Sequence, residues 1–152
     1  MATIYHQVWI NAPVAKVYEA ISTLEGIVSW WGPHKLTKTE TGLVLEHDPG
    51  PMHGVVRFKV LDTVQDKLVE WEFISTHPKS SPASAWTGTH VIWEISERAN
   101  VVALSGFGKD GDGIAILDFR HSGWDANSEY LGFCSFAWAM VLQKLKQVCE
   151  SK

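Results

Sequence analysis

Cysteine is scarce in this 152-residue chain, which contains only Cys134 and Cys149. Both fall in a segment whose pattern predicts a single helix, and a rise of about 1.5 Å per residue then separates them by roughly 22 Å. A disulfide needs Cα atoms within about 7 Å of each other, so the two cysteines cannot pair with one another. The cysteine content therefore agrees with the reducing environment of the cytoplasm.

Apolar runs long enough for a membrane and dense runs of basic residues are also missing. No stretch approaches the ~20 apolar residues that span a bilayer. Residues 1–6 have neither the basic start nor the apolar core of a secretory signal. The formal net charge is −4, with lysine and arginine scattered along the chain. We therefore expect a cytoplasmic protein that neither inserts into a membrane nor binds nucleic acid through its charge.

Familiar catalytic and metal-binding motifs are absent from the sequence. It has no Gly-rich phosphate loop, no nucleophile elbow and no Cys-x-x-Cys pair. His47 and His53 flank a Pro-Gly-Pro turn at a spacing that matches no standard zinc site. Residues 110–113 (Asp-Gly-Asp-Gly) lack the third oxygen position and the final glutamate of a calcium loop. No cofactor and no metal site are predicted.

The length and the 45% share of hydrophobic residues predict one globular domain over residues 1–152. Most of the chain alternates with a period of two, as in Val69, Trp71 and Phe73 on one face and Glu70 and Glu72 on the other. Such alternation is typical of an antiparallel sheet with one wet face. After a first strand around residues 4–10, strands are predicted at residues 35–40, 43–48, 54–63, 67–76, 86–97 and 114–122.

Helical spacing appears in three places. Two short helices are predicted between the first strand and the Trp-Trp-Gly-Pro string at residues 30–33, the second capped by Thr23. A long helix is predicted at residues 127–151, capped by Asp125 or Asn127. Its apolar stripe consists of Leu131, Cys134, Trp138, Val141, Leu142, Leu145, Val148 and Cys149. The predicted fold is α+β: a curved antiparallel sheet wrapped around the C-terminal helix.

Tryptophan is unusually frequent, with eight in the chain. Several fall on inward faces of predicted strands, where bulky rings can line an apolar pocket or simply fill a core. The number of rings favours a pocket. The candidate ligand-binding residues are Trp30, Trp31, Phe58, Trp71, Phe73, Trp93, Phe119, His121, Trp138 and Leu142.

His121 is the candidate for catalysis, because it shares the inward face of its predicted strand with Leu117 and Phe119. A buried imidazole can act as a general acid or base, or can simply be a structural group with satisfied hydrogen bonds. No carboxylate lies close to it on the same strand face, so the structural interpretation is favoured.

The back of the long helix is also apolar, since Phe133, Phe136 and Met140 lie opposite its stripe. Exposed apolar patches are normally covered. The cover is either residues 98–112, a glycine-rich segment read as an inserted hairpin or loop, or the short helices, or a second subunit in a homodimer.

The order of these elements resembles a known family. A strand, Ala12-Pro13 with a short helix, a helix ending at residues 30–33, a run of strands and His121-Ser122-Gly123-Trp124 before the long helix are similar to the START-like (SRPBCC, birch-pollen-allergen-like) superfamily. Within it, the chain is most similar to the C-terminal domain of Aha-type activators of the heat-shock chaperone ATPase. The resemblance covers nearly the whole chain.

The resemblance implies the helix-grip fold, with a cavity between the sheet and the long helix. It implies binding of a hydrophobic or amphipathic small molecule, which is the leading hypothesis. The alternatives are a cyclase- or dehydratase-like enzyme using His121, and a module that contacts a chaperone in a stress response. Activators of that type carry an additional N-terminal domain for partner binding, which these 152 residues do not accommodate.

Overall fold

The computed structural model describes residues 1–151, and within them the chain forms seven strands, three α-helices and a short 3₁₀ helix. The strands are β1 (Ala2–Ile10), β2 (Lys35–Thr39), β3 (Gly42–His47), β4 (Val56–Val64), β5 (Leu68–Phe73), β6 (His90–Arg98) and β7 (Ile114–Trp124). The helices are α1 (Val14–Ser22), α2 (Leu24–Trp31) and α3 (Leu131–Glu150), and the 3₁₀ helix is Pro82–Ala85.

All seven strands form one antiparallel sheet in the order β1-β7-β6-β5-β4-β3-β2. The two short helices follow β1 and the long helix α3 packs on the sheet, so the predicted α+β helix-grip fold is confirmed. Among residues 1–151, no helix combines the length and the apolarity needed to cross a membrane.

The α3 stripe is buried as predicted. Cys134, Trp138, Leu142, Leu145 and Cys149 are each about 2% exposed or less. The remaining stripe residues are partly buried and pack against the same core. Both cysteines are free, buried thiols. Burial of this stripe against the inner face of the sheet is the main apolar contact that holds α3 in place.

Two predicted boundaries are wrong for the same physical reason, which is local turn formation. Helix α3 begins at Leu131 and has no side-chain cap. The predicted cap Asp125 instead accepts a hydrogen bond from the Asn127 amide at 2.9 Å, and Ser128 accepts one from the Tyr130 amide at 3.2 Å. These short-range bonds hold residues 125–130 in turns ahead of the helix.

Strand β6 begins at residue 90 rather than 86, because the chain turns before it enters the sheet. The 3₁₀ helix ends at Ala85, and Gly88 then adopts a φ of +80°. The Gly88 amide donates to the Phe73 carbonyl at 2.8 Å, which ties this turn to the end of β5. The positive φ suits glycine, which has no Cβ to clash.

The inserted segment at residues 98–112 packs on the outer face of the sheet. Val101 is buried there beside Ile114 and Ile116, with Trp9 against them. Its tip is exposed, with Leu104 at 78% and Phe107 at 76%. The insertion therefore leaves Phe133, Phe136 and Met140 uncovered, at 61%, 66% and 56% exposure respectively. Covering of this patch by the chain's own insertion or short helices, one of the predicted alternatives, is wrong.

Strand β1 is one edge of the sheet, and α3 runs close beside it. The Lys146 ammonium donates to the backbone carbonyl of Trp9 and to Glu150, the latter at 2.8 Å. The Glu150 carboxylate in turn accepts from the Asn11 amide at 2.8 Å. Side chains from the last turns of α3 thus satisfy backbone groups at the end of β1.

Helices α1 and α2 form a tight hairpin around Thr23 and Gly26. The Thr23 hydroxyl accepts from the Gly26 amide at 2.9 Å, so the predicted cap of α2 is confirmed. A Cβ added to Gly26 would collide with the carbonyl oxygen of Glu19 and would lie 2.7 Å from the Ala20 Cα. Glycine is required here because the backbones of the two helices touch.

Gly26→Ala is therefore expected to destabilise the protein by ~1–3 kcal/mol, because the backbones must move apart to make room. Helix propensity alone predicts the opposite, a gain of about 1 kcal/mol. The matched control is Gly132→Ala in α3, where an added Cβ meets nothing within 4 Å. That control should be neutral or slightly stabilising. Urea unfolding measures the free energy of unfolding of both variants. Equal changes in Gly26→Ala and Gly132→Ala would contradict the close contact between the α1 and α2 backbones.

Candidate functional site

Aromatic rings fill the space between the sheet and α3. Every predicted ligand-binding residue lies in this core, and all except Trp31 are at most 4% exposed. Trp93 contacts Trp71 with ring centroids 5.2 Å apart, and Phe119 contacts Trp138 at 4.6 Å. We call this the aromatic cluster: Trp30, Trp31, Phe58, Trp71, Phe73, Trp86, Trp93, Phe119, His121 and Trp138. The predicted residues are thus brought together, while their role in binding a ligand stays a prediction.

Trp31 is the partly exposed member of the aromatic cluster and closes it from the outside. It is the last residue of α2. Its ring stacks on Trp71 at 6.0 Å with an interplanar angle of 7°, and lies 5.3 Å from the ring of Trp138. Trp31 therefore forms a wall between solvent and the buried rings of the sheet and α3.

His121 is completely buried and holds three elements together. Its Nδ1 accepts a hydrogen bond from the Trp138 indole N–H at 3.1 Å. An indole nitrogen can only donate, so the proton of the neutral imidazole must be on Nε2. That Nε2–H donates to the Thr89 hydroxyl at 2.7 Å, and Thr89 donates to the Trp86 carbonyl. Both ring nitrogens of His121 are therefore already engaged.

Burial also controls the charge of His121. It lowers the pKa of His121 from its usual value of 6.5 to about 3. The imidazole is neutral at neutral pH, has no free nitrogen and is not exposed to solvent. General acid or base catalysis requires a group that reaches its substrate. The arrangement therefore supports the structural interpretation of His121 over the catalytic one.

Two cavities border the aromatic cluster. The smaller has a volume of 60 Å³ and lies against α3; it is lined by Trp31, Trp86, Cys134, Ala137, Trp138 and Val141. The larger has a volume of 230 Å³ and lies between the α1–α2 hairpin and strands β2 to β5. We call it the Trp71 cavity, and its lining is Ile21, Ser22, Thr23, Leu24, Ile27, Leu36, Leu43, Leu45, Val60, Val69 and Trp71. Of these two cavities the larger thus lies beside the hairpin, while a more open groove of 550 Å³ runs between β1, the tip of the insertion and α3.

Trp71, which lines the Trp71 cavity, has a buried polar atom without a partner. The indole nitrogen of Trp71 is buried and makes no hydrogen bond within the described residues, as is also true of the indoles of Trp93 and Trp124. Leaving a buried donor unsatisfied costs about 1–3 kcal/mol. Trp71 differs from the other two because it lines a cavity large enough to hold a partner.

Sequence patterns identified only part of this site. Alternation in β5 correctly placed Trp71 on the inner face, together with Val69. The leucines of β2 and β3 and the hairpin residues were missed as lining groups, although Leu36 and Leu43 alternate with polar neighbours. Trp86 was also missed, because it follows a 3₁₀ helix where no periodicity marks an inward face.

Residues 1–151 contain no group of three or more histidine, cysteine, aspartate or glutamate side chains arranged to hold a metal ion. His47 and His53 point to different partners: His47 Nδ1 donates to the Pro33 carbonyl at 3.1 Å, and His53 Nδ1 lies 2.6 Å from the Ser81 hydroxyl. Glu70 and Glu72 lie on the outer face, where His90 Nδ1 is 2.9 Å from the Glu70 carboxylate.

Several solved structures are similar to this chain over almost its whole length. The Aha1 dimer from Colwellia psychrerythraea is 24% identical, with a TM-score of 0.71, over 99% of this chain and 97% of its own. Protein MLL2253 from Mesorhizobium loti is 17% identical, with a TM-score of 0.69, over 96% and 95%. CalU16 from Micromonospora echinospora is 16% identical, with a TM-score of 0.65, over 95% and 74%. The chain has a START-like, Aha1-type fold.

No family model and no curated protein matches the sequence. At these identities the START-like neighbours establish the architecture, while ligand, activity and partner must be argued from this chain's own residues. Aromatic rings lie between the sheet and α3 in this chain, and the Trp71 cavity lies beside them.

The neutral state of His121 makes the stability of this START-like fold dependent on pH. The unfolded chain binds a proton at this residue below about pH 6.5, whereas the folded protein does so only near pH 3. The free energy of unfolding should therefore fall as pH drops below 6.5, by up to ~1.4 kcal/mol per pH unit. Urea unfolding at several pH values, compared with His121→Gln, measures this contribution.

In His121→Gln the free energy of unfolding should fall less on acidification than in the wild type, by up to ~1.4 kcal/mol per pH unit. Proton NMR supplies a second measurement, since the His121 ring resonances of the folded wild type should not titrate between pH 7.5 and 5. The prediction would be wrong if the wild type and His121→Gln lost stability equally on acidification and the His121 ring titrated normally. The ring would then be accessible to protons in the folded protein.

Proposed function

We propose that the protein binds a compact apolar molecule with a hydrogen-bond acceptor in the Trp71 cavity. The observation that carries this proposal is the combination of a partly enclosed apolar space of 230 Å³ and a residue of its lining, Trp71, whose buried indole N–H has no partner in the described residues. A ligand acceptor that bonds the indole of Trp71 would remove the cost of that unsatisfied donor.

The other polar groups of the lining are already occupied. The Ser22 hydroxyl donates to the Tyr18 carbonyl at 2.6 Å, and the Thr23 hydroxyl donates to the Glu19 carbonyl at 2.9 Å. No charged side chain lines the cavity. Burying a carboxylate or an amine there would be costly without a partner. A neutral ketone, ester or ether fits these groups best.

The volume limits the size of the ligand. Typical pockets for drug-sized molecules measure about 300–1,000 Å³, so 230 Å³ indicates a smaller ligand. The cavity can widen at its rim to fit a ligand. Leu36 and Leu43 there are 41% and 37% exposed and lie in β2 and β3, at one side of the sheet. Chemistry at His121 and contact with a chaperone, the alternatives from the sequence, gain no specific support from the geometry of the described residues.

Two isosteric probes test the role of Trp71. Acetophenone and α-methylstyrene have the same shape, but only acetophenone has a carbonyl oxygen. Acetophenone should bind roughly fivefold more tightly, corresponding to a net hydrogen bond of ~1 kcal/mol. Its binding should shift the Trp71 indole N–H resonance in a proton–nitrogen NMR titration. Trp71→Phe should abolish the difference between the probes.

Trp124→Phe is the matched control, because it also removes a buried indole without a partner but does not line the cavity. This variant should keep the preference for acetophenone. Equal affinity of the two probes for the wild type, or the absence of saturable binding by either, would reject the proposal.

We further propose that the protein forms a homodimer through α3. Phe133, Phe136 and Met140, which we call the α3 patch, are more than half exposed and lie on one face of the helix. An exposed patch of this kind is typical of an interaction surface. The START-like neighbour from Colwellia psychrerythraea, similar over 99% of this chain, is described as a dimer. A two-fold arrangement would bring the same patch of two copies together.

Phe136→Glu should convert the dimer into a folded monomer, because the charge would be buried at the interface. Val64→Glu adds the same charge at an exposed apolar position of β4, outside α3, and should leave the dimer intact. Sedimentation at high protein concentration distinguishes the two states, and circular dichroism checks the fold. A wild type that sediments as a monomer would reject the dimer.

A further inference from the structure

Two histidines lie stacked beside Trp31, outside the Trp71 cavity. The rings of His34 and His47 have centroids 4.7 Å apart and an interplanar angle of 16°. Trp31 contacts both, at 4.8 Å from His34 and 5.4 Å from His47. His34 follows the α2–β2 turn and His47 ends β3, so the pair joins two separate parts of the chain.

Backbone carbonyls determine where the protons of this pair lie. His34 Nδ1 is 2.9 Å from the Gly32 carbonyl, and His47 Nδ1 is 3.1 Å from the Pro33 carbonyl. A carbonyl only accepts, so each Nδ1 must carry a proton and each neutral ring has a lone pair on Nε2. The Nε2 of His34 is buried and has no partner in the described part of the chain.

Protonation of His34 at Nε2 would create a buried charge next to a second imidazole. An N–H on His34 Nε2 would have no acceptor, and two charged rings at 4.7 Å would repel each other. Burial lowers the pKa of His34 and the neighbouring His47 lowers it further, while the hydrogen bond to Gly32 opposes this. A proton on His34 therefore disfavours the closed pair.

Among the charged neighbours in residues 1–151, Asp48 directly follows His47, is exposed and accepts from the Gly50 amide at 3.0 Å. His34 packs against Trp31 of α2, His47 of β3 and Phe58 of β4. The nearby charges alternate with inward residues along the strands and so lie on the outer face of the sheet, where Glu46 is 3.7 Å from Arg57. Lys35 is paired with Glu46 in the strand register and points the same way.

The segment that carries His34 and Trp31 can move without unfolding the sheet. Trp31 is followed by Gly32, whose φ of +96° allows rotation that other residues resist. The next element, β2, is an edge strand bonded only to β3, and its residues are mostly exposed. Elements with few buried contacts open most readily.

We propose that the stacked His34–His47 pair is an acid-sensitive latch that holds Trp31 closed over the aromatic cluster. Uptake of a proton by His34 separates the pair and releases Trp31. The stacked face of Trp71 then becomes accessible, since Trp31 covers it at 6.0 Å. Control of ligand access by this latch rests on the proposed function of the Trp71 cavity, whereas the movement of Trp31 does not.

Acidification shifts the latch in one direction. In the open state His34 binds a proton below about pH 6.5, and burial in the closed state lowers the pKa of His34. The opening equilibrium should therefore increase about tenfold per pH unit while one proton is taken up. Residues distant from the latch, such as Trp93 and Trp124 in the core, should keep their environment in this range.

Fluorine NMR of the full chain labelled with 5-fluorotryptophan, without any ligand, tests the latch. The Trp31 signal is identified as the one missing in Trp31→Phe. Between pH 7.5 and 5.5 it should move towards the frequency of an exposed tryptophan, while the Trp124 signal stays constant. The double variant His34→Asn, His47→Asn retains an amide donor close to each Nδ1 position and should show no such movement.

The matched control is His90→Asn, which removes an imidazole from the outer face of β6 and should leave the response of Trp31 unchanged. A Trp31 signal that does not respond to pH in the folded wild type would overturn the latch. So would the same response in the double variant. Hydrogen exchange of residues 28–36, corrected for intrinsic rates, gives an independent measurement in the wild type: protection should fall on acidification, and constant protection would also overturn the proposal.

The outcome is separable from that of the ligand proposal. Acetophenone is absent from the fluorine experiment, so a moving Trp31 supports the latch even if the Trp71 cavity binds nothing. Conversely, preference for acetophenone over α-methylstyrene at constant pH supports the cavity whether or not Trp31 moves.

Discussion

The hydrogen bond from Trp138 to His121 is the constraint around which the core is organised. A fully apolar space filled with tryptophan needs acceptors for its indole N–H groups, and His121 provides one for the helix that closes the sheet. Accepting that bond forces the imidazole proton to the opposite nitrogen, which then ties Thr89 and the turn before β6 to β7. One proton position thereby fixes α3, β7 and the β5–β6 connection relative to each other.

This organisation explains where open space remains. Rings of the aromatic cluster pack edge-on and face-on between the sheet and α3, and the cavity beside Trp31, Trp86 and Trp138 measures 60 Å³. The backbones of α1 and α2 touch at Gly26, and the Trp71 cavity lies between this hairpin and the sheet. Ile21, Leu24 and Ile27 line it on the hairpin side, and leucines of β2 and β3 line it on the sheet side. Two helices in tight contact with each other thus leave a space between themselves and the sheet.

Sequence analysis correctly predicted which side chains point into the core wherever strand alternation or helical spacing determines that orientation. Alternation placed Trp71, Trp93 and His121 inward, and helical spacing identified the buried stripe of α3, because both patterns reflect backbone geometry directly. It failed at the start of α3, where Asp125 and Ser128 stabilise turns that compete with a helix cap. The cavity and the His34–His47 stack depend on distances between elements far apart in the chain, and no local pattern encodes such distances.

The position of Lys146 at the edge of β1 has a consequence for how molecules of this protein meet in a crowded solution. An exposed outer strand can recruit a strand from another molecule and extend the sheet without limit, as in amyloid. Here an incoming strand would have to displace an ammonium group from the Trp9 carbonyl and break its ion pair with Glu150. The charged side chains at the end of the C-terminal helix thus disfavour the addition of strands, and hence fibril growth, at that edge.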